Sequence, residues 1–218
     1  VLCDTDVLAT LPPAEYRSGL GEMAKYHFLE ASPRPRPAPE SRSGRRPDLR
    51  ASGAGSASFA DLPLVEKVAR CVAIKARFVE ADEREEVFAW TGGEAPTRPR
   101  AILNYGHTLA HALETAGHYD LRHGEAVAIG LVFAARLARR LGRIDDRRVD
   151  EHVGVVDGYG LPTSVPAGAD PGELIDLMAR DKKAVDGLTF VLDGPRGLEV
   201  VRGIERADVE AALAETPP

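Results

Sequence analysis

A chain of 218 residues with a formal net charge of −6 predicts one large globular domain or two small ones, without general affinity for nucleic acid. Hydrophobic residues make up 44% and charged residues 28%, a balance typical of a soluble protein with a buried core. No apolar run approaches the roughly 20 residues of a membrane span, and no signal peptide opens the chain, so we expect no membrane partner. The two cysteines, Cys3 and Cys71, favour free thiols in a reducing cytoplasm.

The amino-terminal third is predicted to contain a short strand and two helices. Residues 1–10 predict a strand running into a turn, and two prolines then open a helix over residues 14–30. Residues 31–58 are rich in Pro, Arg, Ser and Gly and predict a disordered insertion, with a basic binding arm as the alternative. A helix follows from residue 61 to 81, and its buried stripe is predicted to comprise Leu64, Val65, Val68, Val72 and Val79.

The rest of the chain is predicted to be mostly helical. Residues 86–99 form a second irregular insertion, and Asn104 is the predicted N-cap of a helix reaching about Thr115. The helix over residues 124–141 is apolar on nearly all sides, so we expect it at the centre of the fold. Helices over 145–159 and 170–180, a β-hairpin pairing 189–192 with 198–201, and a last helix over 207–214 complete a mostly α fold.

Three histidines close together are the strongest chemical signal. His107 and His111 are four residues apart on a predicted helix and project from one face, and His123 opens the next helix. Two imidazoles and one carboxylate would suit a catalytic zinc site that keeps a position open. Spacing leaves the choice of carboxylate open, and it also allows histidines that are merely hydrogen-bonded; the candidate carboxylates are Glu22, Glu114 and Glu125.

The histidine pair does not match a zinc protease. Thr108 stands where the H-E-x-x-H motif has its catalytic glutamate, which argues against peptidase activity.

Several cations could instead hold a phosphorylated or polyhydroxylated acid, although solvated surface charge is the alternative for each of them. They are Lys25, Lys75, Arg100, Lys182 and Lys183. No glycine-rich loop of the kind that holds nucleotide phosphates is present in the sequence.

Five blocks in a fixed order carry a family pattern, with Gly-His-x-x-x-His followed by His-Gly-Glu as its most specific part. They span residues 11–25, 74–85, 100–114, 121–130, and 181–183 together with 189–192. The chain resembles the C-terminal domain of the 3-dehydroquinate synthase family, in the sugar phosphate cyclase superfamily. The resemblance implies a multi-helix domain with a small hairpin over residues 13–218, preceded by a remnant strand and linker at 1–12. It also implies that the family's N-terminal Rossmann-like domain is absent.

The resemblance also assigns residues. It implies that zinc or cobalt is held by Glu22, His107 and His123, while His111 is an active-site histidine. It places around the substrate Lys25, Lys75, Glu85, Arg100 and Asn104, together with one of Lys182 and Lys183. NAD would be bound mainly by the missing N-terminal domain.

The function implied by the resemblance is that of an NAD- and metal-dependent carbon–oxygen lyase of the shikimate pathway, which leads to aromatic amino acids. Such an enzyme converts 3-deoxy-D-arabino-heptulosonate 7-phosphate to 3-dehydroquinate and phosphate. The alternatives are a related cyclase that makes an amino-dehydroquinate or a cyclitol, a truncated non-catalytic metal-binding module, and a polyol dehydrogenase relative. We expect a cytoplasmic protein that is homodimeric in its full-length form and incomplete as this chain alone.

Overall fold

The computed structural model describes residues 3–31, 59–81, 100–117, 121–180 and 187–216. Within these ranges lie seven α-helices and one two-stranded antiparallel sheet, which confirms the mostly α prediction with a small hairpin. The elements are α1 (Pro13–Ala31), α2 (Leu64–Ala81), α3 (His107–Ala116), α4 (His123–Arg140), α5 (Asp146–Gly158), α6 (Pro171–Arg180), β1 (Leu188–Leu192), β2 (Glu199–Ile204) and α7 (Arg206–Ala214). No helix in these ranges is long and apolar enough to cross a bilayer.

Helix α4 is the centre of the fold, as its apolar sequence predicts. Its buried residues run from Gly124 to Ala138 and occupy all sides of the helix. Helices α1, α3, α5 and α7 and strand β1 all pack against it. Because many of its residues are alanine or glycine, neighbouring elements can approach closely on every side. The ring of Phe133 meets that of Phe190 in β1 at 5.9 Å between centroids.

Glycines allow the backbone of α4 to pack directly against the backbones of α1 and of the turn before α3. A Cβ atom on Gly124 would lie 1.7 Å from the carbonyl oxygen of Ser18 in α1. A Cβ on Gly21 would lie 1.9 Å from the carbonyl oxygen of Gly124. A Cβ on Gly130 would lie 1.9 Å from the carbonyl oxygen of Gly106, just before α3. Since no side chain fits at these points, the positions of α1 and of the start of α3 are set directly by α4.

The strand predicted over residues 1–10 is wrong in the part that the structure describes. A 3-10 helix spans Asp6–Thr10, where the hydroxyl of Thr10 donates a hydrogen bond to the carbonyl of Val7 at 2.7 Å. A strand needs a neighbouring strand to pair its backbone groups, and the strands of the described ranges pair only with each other. Helix α1 then begins at Pro13, where a missing N–H leaves no helical hydrogen bond unmade.

The buried stripe predicted for α2 is also wrong. Val65 and Val72 are 54% and 56% exposed, and Leu64, Val68 and Val79 are only partly buried. The core contacts come instead from Ile74 and Phe78, on another side of the helix. The helix therefore has two apolar sides, and periodicity alone does not tell which of them faces the core.

Helix α3 begins later than predicted. Arg100–Asn104 forms a 3-10 helix, Asn104 is exposed, and the N-cap of α3 is Gly106 with a φ of 81°. This left-handed conformation suits glycine, because it carries no Cβ. Asn104 is therefore not the helix cap, and α3 opens directly on His107. The predicted insertion 86–99 lies outside the described residues, as does the insertion 31–58 beyond the last residue of α1.

A buried polar pair joins α5 to the turn before α3. The hydroxyl of Tyr105 donates to Nε2 of His152 at 2.9 Å, and Nδ1 of His152 donates to the carbonyl of Arg148 at 2.7 Å. The carbonyl can only accept, so Nδ1 carries a proton. Because burial disfavours a second proton on the ring, the ring is neutral and Nε2 accepts. The ring stacks on Phe28 of α1 at 3.8 Å. Burial lowers the pKa of His152 to about 4.

This pair predicts a pH-dependent stability. Unfolding exposes His152, which then binds a proton at its ordinary pKa of 6.5, whereas in the fold its pKa is about 4. Between pH 6.5 and about pH 4 the unfolded state therefore binds more protons than the folded state. The free energy of unfolding falls by on the order of 3 kcal/mol as the pH drops through this range. In His152→Gln the side chain keeps a donor and an acceptor but does not titrate. We expect urea unfolding at about pH 7 and about pH 5 to show a smaller pH-dependent loss in this variant; equal losses in both proteins would contradict the assignment.

Candidate metal centre

Three helices each contribute one side chain to a small cluster. Glu22 lies on α1, and His107 and His123 are the first residues of α3 and α4. Oε1 of Glu22 lies 3.2 Å from Nε2 of His107 and 3.3 Å from Nε2 of His123. One potential ligand atom from each residue lies within 4.8 Å of the other two. The three side chains are therefore close enough to share one ion.

The glycine contacts explain why residues so distant in sequence converge. Each member of the cluster is adjacent in sequence to a glycine that takes part in the close backbone packing. Those glycines are Gly21 beside Glu22, Gly106 beside His107 and Gly124 beside His123. Small shifts of α1 or α3 relative to α4 would thus move the ligand atoms apart.

Hydrogen bonds on the outer sides of the two rings set their tautomers. Nδ1 of His107 lies 3.1 Å from the carbonyl oxygen of Tyr105, and Nδ1 of His123 lies 3.0 Å from Oε1 of Glu114. A carbonyl and a carboxylate only accept, so Nδ1 is the protonated nitrogen in each ring. In the neutral form of each ring, Nε2 then directs a lone pair toward Glu22. Histidines that bind metals are held in this way, with the second ring nitrogen donating to a carboxylate or carbonyl.

Glu22 completes a set of three acceptors. Its Oε2 accepts from Nζ of Lys25 at 2.7 Å, but its Oε1 is buried and has no hydrogen-bond partner in the described part of the chain. A buried acceptor that faces two imidazole lone pairs is costly unless a cation lies between them. One carboxylate and two neutral imidazoles fit Zn²⁺, and they also accept Co²⁺.

Charges around Glu22 keep it ionised. Burial by itself would raise the pKa of this carboxyl, but the ammonium of Lys25, 2.7 Å from Oε2, helps to hold that pKa well below its usual range. Lys25 is itself buried, with 4% of its surface exposed. Burial lowers the pKa of Lys25, while Glu22 opposes that change. The carboxylate is therefore charged at neutral pH and held in one orientation by the lysine.

Four further predicted site residues lie in the described part of the chain. His111 is exposed one turn after His107, with ring centroids 5.6 Å apart, and is not one of the three clustered residues. Lys75 is exposed on α2, and its charge contributes to the lowered pKa of Lys25. Arg100 and Asn104 are the two ends of the 3-10 helix before α3. Three predicted residues lie outside the described residues, namely Glu85, Lys182 and Lys183.

Two carboxylates that spacing left as candidate ligands have other partners. Glu125 pairs with Arg17 at 3.0 Å and accepts from the backbone N–H of Arg122 at 3.3 Å. Glu114 contacts Nδ1 of His123, which is the ring nitrogen on the side away from Glu22. Sequence reasoning did not assign it that place, although its spacing of seven residues from His107 puts both on one face of α3.

Comparison with known proteins gives a consistent result along the chain. The family model described as 3-dehydroquinate synthase C-terminal matches residues 19–184. A protein of Amycolatopsis mediterranei (strain S699), provisionally named an aminodehydroquinate synthase, is 47% identical over 217 residues, covering 100% of this chain and 52% of that protein. The 3-dehydroquinate synthase of Mycobacterium leprae (strain TN) is 42% identical over 205 residues, 89% of this chain and 48% of that protein. The chain spans about half the length of the curated relatives it matches.

Solved structures share the fold. A 2-deoxy-scyllo-inosose synthase complexed with carbaglucose-6-phosphate, NAD⁺ and Co²⁺ aligns with a TM-score of 0.68 at 20% identity, over 98% of this chain and 54% of that one. The 2-epi-5-epi-valiolone synthase of Streptomyces hygroscopicus subsp. jinggangensis 5008, with NAD⁺ and Zn²⁺ bound, aligns with a TM-score of 0.63 at 19% identity, over 98% and 54%. At these identities the likeness establishes a common fold.

Proposed function

We propose a function from one premise: the chain belongs to the 3-dehydroquinate synthase family. The proposal is that it forms the metal- and substrate-binding half of an NAD- and metal-dependent sugar phosphate cyclase. The substrate proposed first is 3-deoxy-D-arabino-heptulosonate 7-phosphate, which is converted to 3-dehydroquinate with loss of phosphate in the shikimate pathway. The observation that carries the proposal is the buried Oε1 of Glu22, which has no hydrogen-bond partner in the described chain and faces two imidazole nitrogens.

The residues of the cluster have distinct proposed roles. Glu22, His107 and His123 would hold Zn²⁺ or Co²⁺, which when bound supplies Lewis acidity toward sugar hydroxyl oxygens. Lys25 holds the Glu22 carboxylate through their 2.7 Å contact, so that Oε1 faces the two imidazoles. NAD, which when bound supplies reversible oxidation of a secondary alcohol, would be held mainly by a Rossmann-like amino-terminal domain beyond this chain.

Residues around the cluster would bind the sugar and move protons. His111 is exposed beside His107, where its imidazole could take or return a proton of the bound sugar. The ammonium groups of Lys25 and Lys75 interact electrostatically, which brings positive charge to one side of the site. Positive charge suits the carboxylate and phosphate of the substrate and would hold one reactive conformer. Further substrate contacts are proposed for Glu85, Arg100 and Asn104, and for one of Lys182 and Lys183.

A second substrate has a specific observation in its favour. The identity to the relative provisionally named an aminodehydroquinate synthase is 47%, against 42% to the 3-dehydroquinate synthase of Mycobacterium leprae. An amino analogue of the heptulosonate phosphate is therefore the alternative substrate, and the same metal cluster would serve both. The homodimeric full-length form and the cytoplasmic location stay predictions.

Phosphate release tests the proposal. The chain would be mixed with the separately produced amino-terminal half of a relative, with NAD and Zn²⁺, and offered the heptulosonate phosphate or its amino analogue. We expect phosphate release with one of the two, abolished by a chelator and by His123→Ala. If the two halves associate and Zn²⁺ is bound but neither sugar releases phosphate, the chain is better described as a non-catalytic metal-binding module.

A further inference from the structure

We infer that Glu114 is a positioning residue that holds the imidazole of His123 in its metal-binding orientation; this inference rests on the proposed function. Its Oε1 lies 3.0 Å from Nδ1 of His123. Glu114 sits two turns after His107 on α3. Helix α3 would thus supply one ligand from its first residue and the support for a second ligand, which belongs to α4.

The two histidines differ in how much support they have. The side chain of His107 is only 13% exposed, and a backbone carbonyl accepts from its Nδ1. The side chain of His123 is 45% exposed, so packing restricts its ring much less. The polar contacts of this ring within the described ranges are those with Glu22 and Glu114. A fixed acceptor behind His123 therefore matters more than one behind His107.

Glu114 also decides which nitrogen faces the cluster. A neutral imidazole carries its proton on either nitrogen, and the ring of a half-exposed histidine can rotate. A carboxylate that accepts from Nδ1 selects the tautomer and the rotation in which Nε2 directs its lone pair toward Oε1 of Glu22. Without that carboxylate, other ring orientations compete with the one that binds metal.

Charge gives Glu114 a second role. The carboxylate of Glu22 is neutralised in part by Lys25, whose Nζ lies 2.7 Å from Oε2. A dication at the cluster would then face two neutral imidazoles and little net negative charge. The carboxylate of Glu114 adds a negative charge one imidazole away from the ion, which attracts the cation.

Two substitutions separate the two roles. Glu114→Ala removes both the acceptor and the charge, and we expect it to weaken Zn²⁺ binding by about 10- to 100-fold. Glu114→Gln keeps a carbonyl acceptor of the same size but loses the charge, so its loss should be smaller. Affinity would be measured on the 218-residue chain by competition with a chromogenic chelator, and the visible absorption of the Co²⁺ form would report the ligand geometry.

The matched control is Glu125→Gln, which removes a carboxylate two residues from His123 that pairs with Arg17 instead. It should change Zn²⁺ affinity by less than about threefold. The inference is overturned if both Glu114 variants bind Zn²⁺ like the unaltered chain with an unchanged Co²⁺ spectrum while His123→Ala loses the metal. If His123→Ala also binds normally, the metal centre itself is wrong, and the proposed function fails with it.

Discussion

His107→Ala is expected to lower the affinity for Zn²⁺ by more than about a hundredfold, beyond the loss expected from removing a supporting residue. The substitution leaves one carboxylate and one imidazole, fewer than the three protein ligands of a catalytic zinc site. In the unaltered chain Nε2 of His107 lies 3.2 Å from the buried Oε1 of Glu22, and the substitution leaves a cavity at that position. Chelator competition measures the loss, and circular dichroism checks that the helices persist.

His111→Ala is the matched control for this experiment. It removes the same side chain one turn further along α3, where the ring is exposed and lies outside the cluster. We expect it to bind Zn²⁺ with nearly unchanged affinity. A large loss in His111→Ala together with normal binding in His107→Ala would mean that the ion is held elsewhere on α3, contrary to the assignment.

The second large effect concerns the contact between α1 and α4. Gly124→Ala places a methyl group 1.7 Å from the carbonyl oxygen of Ser18, so the two backbones must separate. Overpacking in a tight core costs about 1–3 kcal/mol, and we expect the upper part of that range or more because the obstacle is backbone rather than a movable side chain. Urea unfolding would measure the loss. Zn²⁺ binding should weaken as well, because Glu22 moves with α1.

Gly154→Ala provides the comparison. Gly154 lies inside α5, and a Cβ there would meet nothing within 4 Å. Alanine stabilises a helix interior by about 1 kcal/mol relative to glycine, so this variant should be slightly more stable than the unaltered chain. If Gly124→Ala is as stable as Gly154→Ala, the close backbone contact does not hold α1 in place.

The elements that the sequence predicts well are those with strong local patterns. Because α4 is apolar on nearly all sides, its sequence predicts a central position. Asp193, Gly194 and Pro195 predict the turn of the hairpin, in which Leu192 pairs with Glu199. For helix α2, the local sequence pattern does not predict which side of the helix is buried. Its valines and its Ile74–Phe78 side are both apolar, and only the packing of α1 and the 3-10 helix Arg100–Asn104 against it decides which side is buried.

The candidate site, like the fold, is only partly predictable from the sequence. Spacing places His107 and His111 on one face of a helix, yet only His107 belongs to the cluster with Glu22 of α1. Spacing did not choose Glu22 among three carboxylates; that choice came from the family resemblance. The geometric reason lies in backbone contacts at Gly21 and Gly124, which periodicity does not reveal. The contact of Glu114 with His123 depends on the same arrangement of α3 and α4.

The placement of α4 at the centre has a thermodynamic consequence. The three cluster residues sit on α4 and on two helices packed against it, so the chain cannot unfold without dispersing them. An ion held there binds the folded state alone, and each tenfold rise in free Zn²⁺ above the dissociation constant adds about 1.4 kcal/mol to the free energy of unfolding. The melting temperature should therefore climb with the metal concentration, and a chelator should act on this chain as a mild denaturant.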